Sequence, residues 1–455
     1  MFSYQAEDVR RMLKYRNCIN ASAPGVGKTV EVLALCEYLL QEKASKVVVF
    51  CSKYSEWIKM LAKFTDSKAV LFHGTPEKRK KLYQEDFKYL VCTYGTAINE
   101  LDFLRKTVDE TTVVICDEVH RIKSKKSRRA KSLKTLSLFA RNRIGISATL
   151  IWNRLDDLFG AFEWVDPNYL GAWGSFKNMY IESNDYNQIV GYKNLDVLRE
   201  RISPVIIRRN SSDKEVAEEM PELQVIEDYC DFEEKHLKLM QQLCIKIRSS
   251  IQNSTDNWYR SPEVFKHLTA ADVATVCPIQ YGYDGSKINY VLPLIEDMVS
   301  DSSVVVFCRY LDGCVRLKNL LQEQFERVFY YVGGTDDSVI EKFKATGKPS
   351  ILVSSDAGRE SLNIQEARYV VNLDIPWGDS DLLQRIHRIR RVDSQEDYVI
   401  ARNIICPGLD EYKYSLATWK GQVSEHMLDG KELDDYSKPK ILHYLDNFIE
   451  TGAFL

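Results

Sequence analysis

The 455-residue sequence has no apolar run near the roughly 20 residues a helix needs to cross a bilayer. Its first residues, MFSYQAEDVRR, lack the basic-then-apolar order of a secretory signal. Cysteine is not scarce, but the count of eleven is odd and no C-x-x-C occurs. Five of these residues (Cys51, Cys92, Cys116, Cys308 and Cys406) lie in or at the ends of apolar strand-like runs, where a thiol serves as a small hydrophobe. That pattern argues against a disulfide scaffold and predicts reduced thiols in a cytoplasm-like compartment. The seven histidines are scattered without metal-ligand spacing, and no internal repeat or low-complexity tract is visible. A formal net charge of −3 leaves no general basic coat, so any nucleic-acid surface must be local.

An apolar fraction of 45% with 28% charged residues describes a folded, globular chain, long enough for two or three domains. Short β-rich runs recur, each followed by a helical pattern. The first half carries them at 46–51, 69–73, 89–94, 112–118, 143–149 and 204–209, and the second half at 303–310, 327–334, 350–358, 367–374 and 398–405. Such alternation predicts parallel sheets with crossover helices, here in two α/β lobes. The expected division is 1–207 and 208–455, with a mainly helical insertion at about 236–286 and a helical, polar tail at about 408–455.

Two motifs carry chemistry in the first lobe. SAPGVGKT (22–29) follows a short apolar segment and opens a helical run. Gly25 and Gly27 permit a tight turn whose N–H groups face a phosphate, Lys28 supplies a point charge, and the Thr29 hydroxyl can ligate Mg²⁺. Ser22 stands where the strict P-loop pattern has glycine, and a glycine-rich turn that only caps a helix is the plainer alternative. Downstream, Asp117 and Glu118 end an apolar strand, where one carboxylate can hold Mg²⁺ and the other can orient or deprotonate water. Alone, this pair also reads as a helix N-cap. Eight lysines and arginines then fall within 121–134 with no acidic residue among them. They form either a phosphate-binding stripe or an ordinary solvated basic helix. In the second lobe LLQRIHRIRR (382–391) places Arg385, Arg388 and Arg391 at i, i+3 and i+6, along one side of an expected helix, with Gln384 at its start.

With these residues in view, the chain resembles a superfamily 2 helicase, and within that group the Snf2-like DNA translocases. YQAEDVRRML is similar to the glutamine motif, SAPGVGKT to motif I, CSKYSEWIKMLAKF to motif Ia with Trp57, and VCTYGTA to motif Ib. DEVHRIKSKKSRRAKSL resembles the DEAH-type motif II with a basic extension, GISATLIWNRLDDLFGAFEWVDP resembles motif III, and IRRNSSDKEVAEEMPEL resembles the interlobe crossing. VVVFCRY, YVGGT, SSDAGRESLNIQEARYVVNLDIPW and QRIHRIRR resemble motifs IV, IVa, V and VI. His387 stands in place of a motif VI glycine, Arg390 in place of a histidine, and Ser361 in place of a motif V glycine. Small phage-encoded branch-migration helicases, such as those of T5-like bacteriophages, are more similar than chromatin remodellers.

The resemblance implies two tandem RecA-like domains and an ATP- and Mg²⁺-dependent DNA helicase or translocase. Such an enzyme would remodel forked or branched DNA in replication, recombination or repair, in the cytoplasm and, if phage-encoded, in that of the host. Lys28, Asp117, Glu118, Arg388 and Arg391 would be catalytic, with Thr29 and Asp117 on the metal. Gln5 would read adenine, and Gly25, Gly27, Gly358, Glu360, Gln384 and Arg385 would complete the nucleotide site. DNA backbone contacts are expected from Ser52, Thr93, Lys123, Lys125, Lys126, Arg128, Arg129, Arg309, Thr335 and Ser355, without base readout. A monomer suffices for this scheme. For strand separation the tip NWYR (257–260) or the tail after 408 could act as a wedge, as no domain is expected ahead of the glutamine motif, although either segment also reads as packing. Two other functions fit the same motifs: a duplex translocase that displaces proteins without unwinding, and an ATP-gated clamp without productive turnover.

Overall fold

The structure is a computed structural model and describes residues 1–123, 127–150, 155–185, 189–254, 261–358, 362–392, 394, 396–433 and 443. Two compact units emerge. The first comprises Met1–Glu219 and, among the described residues, takes in the chain again at 420–433, and the second contains Met220–Trp419. The division thus falls after Glu219, later than the expected 207/208. The physical reason is that the chain keeps pairing with the first unit beyond 207. Arg209 N–H donates to Ser22 Oγ at 3.1 Å, and the Arg209 carbonyl accepts from Ala23 N–H at 2.7 Å.

In the first unit the strands are β1 (Asn17–Asn20), β2 (Lys46–Cys51), β3 (Ala69–Phe72), β4 (Tyr89–Thr93), β5 (Thr112–Asp117), β6 (Asn142–Ile146), a short hairpin of β7 (Ile181–Ser183) with β8 (Ile189–Tyr192), and β9 (Ile206–Ile207). All but the hairpin form one sheet in the order β3-β4-β2-β5-β6-β1-β9, and every neighbouring pair is parallel. Burial on both faces explains the unbroken apolar runs, since in KVVVFC every residue after Lys46 is fully buried. The helix Lys28–Glu42 lays Val32, Leu35, Cys36 and Leu39 into a core with Val47, Val49, Val113 and Ile115.

The second unit holds β10 (Glu222–Tyr229), β11 (Ser303–Phe307), β12 (Val328–Tyr331), β13 (Ile351–Ser354), β14 (Ala367–Asn372) and β15 (Tyr398–Ile405), in the order β10-β15-β14-β11-β13-β12. These pairs too are all parallel. Period-two alternation sends Val304, Val306 and Val353 to one core and Val305, Phe307 and Leu352 to the other. Between β10 and β11 the chain forms the helices Glu234–Gln252, Pro262–Val276 and Ser286–Asp301, the second started by a Ser261 cap and proline at its first turn. After β15 comes the helix Leu409–Asp429. No described helix is long and apolar enough to cross a membrane, and all eleven cysteines are free and buried.

Because each sheet is parallel, its strand carboxyl ends share one edge. In the first unit that edge gathers the loop after β1, the carboxylates after β5 and the segment after β6, the arrangement in which open α/β sheets bind ligands.

Candidate functional site

The loop after β1 turns where the sequence has glycine. Gly25 and Gly27 adopt φ of +82° and +96°, a region costly for any residue with a Cβ. A Cβ at Gly27 would also lie 2.2 Å from Gln5 Nε2 and push that amide aside. Gly27 is the N-cap of the helix Lys28–Glu42, which sets Lys28 and Thr29 in its first turn. The Lys28 ammonium donates to the carbonyls of Ser22 and Ala23, each at 2.9 Å. Burial lowers the Lys28 pKa to about 8, against the opposing charges of Glu118, Glu31 and Asp117.

Several side chains support this loop, and of these only Gln5 was nominated from the sequence, for another role. Tyr4 OH donates to the Val26 carbonyl at 2.9 Å, and Gln5 Nε2 donates to the same carbonyl at 3.2 Å. Gln5 Oε1 meanwhile accepts from Phe2 N–H at 2.9 Å. Gln5, expected to read adenine, here braces the loop with both ends of its amide engaged. Arg208 donates to the Ala21 carbonyl at 2.6 Å and forms a two-bond pair with Asp429 at 2.8 and 2.9 Å. Arg209 pairs with buried Asp8 and with Glu7. The double arginine at the end of the first half was legible as a motif, but its target was not.

At the carboxyl end of β5, Asp117 Oδ2 accepts from Trp57 Nε1 at 2.9 Å, and its carbonyl accepts from Tyr94 OH at 2.5 Å. Glu118 follows in left-handed backbone at φ +56°, which costs roughly 1–3 kcal/mol for a residue of this type. Strain of this kind persists when contacts over-determine it, and here they do. Glu118 Oε2 lies 3.2 Å from His120 Nδ1 and 3.3 Å from Ser147 Oγ, while His120 Nδ1 and Ser147 Oγ are 2.9 Å apart. The two carboxylates are driven apart in acidity. Burial and then the Glu118 charge raise Asp117. Burial would also raise Glu118, but the His120 hydrogen bond and the charges of His120, Lys28 and Arg121 overcome it and hold that carboxyl low. Of the pair, Glu118 is the one kept ionised. His120 and Ser147 were missed as candidates, although both fall within the stretches similar to motifs II and III.

The basic segment is partly neutralised. Lys123 is bound to Asp157 at 2.7 Å and Lys134 to Glu163 at 2.6 Å, so neither acts as an open phosphate contact. Lys125 and Lys126 lie outside the described residues. Arg128 and Lys131 are exposed on the helix Arg128–Ser137, whose N-cap is Ser127, and Arg129 lies over the Tyr94 ring at 5.7 Å. Ser52 and Thr93 stand at the carboxyl ends of β2 and β4. The Ser52 hydroxyl is buried without a hydrogen bond, whereas Thr93 caps the helix Tyr94–Asn99.

In the second unit the helix after β14 is shorter than the arginine spacing suggested. It spans Asp379–Ile386, so Arg385 is helical while Arg388 and Arg391 sit in the turn beyond. The turn is fixed because the Arg388 carbonyl accepts from Ile364 N–H at 2.9 Å and buried Ile389 anchors the chain. Arg385 is fully buried and ion-paired to Asp356 at 2.7 Å and Asp374 at 3.1 Å, with Nη1 on the Asp374 carbonyl. Its guanidinium is thus part of the framework and not an open nucleotide contact, and Gln384 beside it is buried as well. Arg309, expected on DNA, joins the same cluster through Asp356 at 3.2 Å and Asp374 Oδ1, which accepts its N–H at 2.8 Å. Arg388 and Arg391 are different. Both are half-buried and share one acceptor, the Leu362 carbonyl, at 3.1 Å, while Nε of each donates to a carbonyl four residues back, Gln384 at 3.0 Å for Arg388 and His387 at 3.1 Å for Arg391.

Gly358 is explained by packing, because a Cβ there would lie 2.2 Å from Ser354 Oγ, and Glu360 falls outside the described residues, as do Ser361 and NWYR (257–260). Thr335 closes a local turn with Val332, and Ser355 Oγ accepts from Ala357 N–H.

The residues of the P-loop fit a bound nucleotide and its metal. The loop turns at two glycines of positive φ into a helix N-terminus, and its lysine lies within electrostatic reach of two strand-end carboxylates. Residues 4–273 match the SNF2-related domain, and residues 286–393 match the helicase conserved C-terminal domain. The chain belongs to the SNF2-related family. Among relatives of this SNF2-related chain, YwqA of Bacillus subtilis is 23% identical over 412 residues, covering 86% of this chain and 44% of YwqA. YqhH of the same organism, an uncharacterized ATP-dependent helicase, is 25% identical and covers 93% of this chain and 76% of YqhH. The chain spans only 40% of the length of a third relative, the ISWI chromatin-remodeling complex ATPase CHR17 of Arabidopsis thaliana, at 24% identity. The Pyrococcus furiosus Hef helicase domain superposes at a TM-score of 0.53 with 15% identity, over 93% of this chain and 98% of that one, a likeness of fold. Both units of the SNF2-related chain are RecA-like α/β domains.

Proposed function

We propose that this chain is a DNA-dependent ATPase that turns nucleotide hydrolysis into movement along DNA, acting on forked or branched substrates. The observation that carries the reading is the strand-edge cluster in which Lys28 lies within electrostatic reach of Asp117 and Glu118 while His120 keeps Glu118 ionised. Lys28, Thr29 and Asp117 would hold the phosphates and Mg²⁺, and Mg²⁺ when bound neutralises phosphate charge. Glu118 orients and deprotonates the attacking water, its carboxylate aimed by two hydrogen-bond partners. Arg388 and Arg391 would supply positive charge to meet the negative charge that develops on the oxygens of the transferred phosphoryl group, worth about 10³–10⁵ in rate. Weak, sequence-independent backbone contacts suit a motor that must release DNA at each step, and they would come from the exposed cations near Arg128 and from hydroxyls at the strand ends.

The test compares ATP hydrolysis and product formation on single-stranded, duplex, forked and four-way DNA, with RNA as control. Lys28→Ala and Glu118→Gln are expected to lose DNA-stimulated hydrolysis while still binding DNA; full turnover by either would remove the assignment. A second reading, duplex translocation without strand separation, draws support from the similarity to the ISWI chromatin-remodeling complex ATPase CHR17. Stimulation by duplex with no separated strands from forks would favour it. Preferential branch migration of four-way junctions would favour the phage-like reading of the motifs.

A further inference from the structure

The parallel sheet of the first unit has a second edge, formed by the amino ends of its strands, which the nucleotide loop does not use. A half-open cavity of about 460 Å³ lies there, between the entries to β1, β2, β5 and β6. Its volume falls within the range of ligand-binding clefts. Leu13, Tyr15 and Leu39 make its apolar wall. Three cations, Arg16, Lys43 and Arg141, face a single carboxylate, Glu110, so the local charge is positive on a chain whose net charge is −3. Arg16 is fixed in place, its guanidinium donating to the carbonyls of Ala140 (3.1 Å) and Arg141. Lys43 and Arg141 have no ion pair among the described residues. Two and three residues ahead of Arg141 in the chain, Phe139 and Leu138 are 61% and 54% exposed.

We propose that this edge is a docking site for an acidic peptide segment of a partner protein, one that carries leucine-sized side chains. Charge complementarity selects the acidic residues, which Lys43 and Arg141 would meet. The cavity wall takes one apolar side chain, and the exposed Leu138–Phe139 pair, close to Arg141 in the chain, would continue the apolar contact. That continuation argues for an extended chain over a small anion, which a cleft would engulf without needing an apolar rim. The site lies at the sheet edge away from Lys28, so a partner bound there leaves the nucleotide loop open.

The experiment titrates the full chain into a short fluorescein-labelled peptide of glutamate, serine and a few leucines, read by anisotropy. Saturable binding is expected, weakened at least about tenfold by Lys43→Glu with Arg141→Glu and by replacing the leucines of the peptide with serine. Leu13→Glu, at the exposed rim, is expected to give the same loss and serves if the double variant does not fold. ATP hydrolysis without DNA should be unchanged in all of them. Equal binding of the serine peptide would reduce the site to general charge attraction and overturn the proposal. Equal binding by the variants, or full displacement of the peptide by AMP, would overturn it as well, the latter in favour of a small-anion site.

Discussion

At the scale of single residues, the site separates groups that do chemistry from groups that hold them. His120 touches Glu118 and Ser147 and keeps the carboxylate ionised, so it acts as a positioning residue. His120→Ala is expected to lower kcat about 10- to 100-fold and to move the acid limb of the pH–rate profile upward. The sign follows from the lost hydrogen bond and charge, without which burial raises the Glu118 pKa and the base is protonated at higher pH. An acid limb that does not move would assign His120 to packing alone. The three motif VI arginines divide in the same way. Arg385→Ala leaves Asp374 buried and short of its partner, so it should destabilise the second unit by about 3–5 kcal/mol in urea melts. Arg388→Ala and Arg391→Ala should melt close to the parent while losing about 10³-fold or more in turnover. The reverse pattern would transfer the catalytic role to Arg385.

Among the elements, the helices between β10 and β11 carry their own titration. His236, on the helix Glu234–Gln252, is fully buried; its Nδ1 accepts from Ser286 N–H at 3.1 Å and its Nε2 meets the Ala274 carbonyl at 2.9 Å. Burial lowers its pKa to about 4, with the Ala274 hydrogen bond opposing. The folded state therefore binds fewer protons than the unfolded state between that value and the ordinary histidine value near 6.5. Stability from this group is present above about pH 6.5 and is lost as pH falls toward 4, by up to about 3 kcal/mol. His236→Gln should flatten that slope relative to the parent in urea titrations across the window; an unchanged slope would rule the histidine out as its source.

Elements of this kind also show what the chain made readable. Strands buried on both faces, such as KVVVFC and SVVVF, announce themselves as unbroken apolar runs. The edge strand β10, ELQVIEDY, is mostly exposed and alternates with polar residues, so no such run marks it. NCIN of β1 is too short to stand out from the loop it feeds. The P-loop and the Asp117–Glu118 pair were legible because chemistry fixes their spacing. Most partners that tune them were not, since His120, Ser147 and Arg208 are brought in by tertiary packing, and Gln5 was singled out for adenine and not for bracing the loop. Charge density misled most at Lys123 and Lys134, because sequence order does not reveal that Asp157 and Glu163 face them.

For the molecule as a whole, sequence-independent DNA binding would rest on few open cations. Removing Arg128 and Lys131 together should reduce the slope of log affinity against log salt by about 1.8, whereas Lys123→Ala should leave it unchanged because Asp157 already holds that ammonium. Anisotropy with duplex DNA across a salt series reads both outcomes, and an unaltered slope for the double variant would place the DNA surface elsewhere.

Finally, every thiol in this chain is interior and unpaired, with Cys18, Cys36, Cys51, Cys92 and Cys116 in the first unit and the other six in the second. A maleimide reagent can reach them only when the surrounding fold opens. The untagged protein therefore contains its own stopwatch for local opening, and mass spectrometry of the labelled peptides would time each RecA-like unit separately during a catalytic cycle.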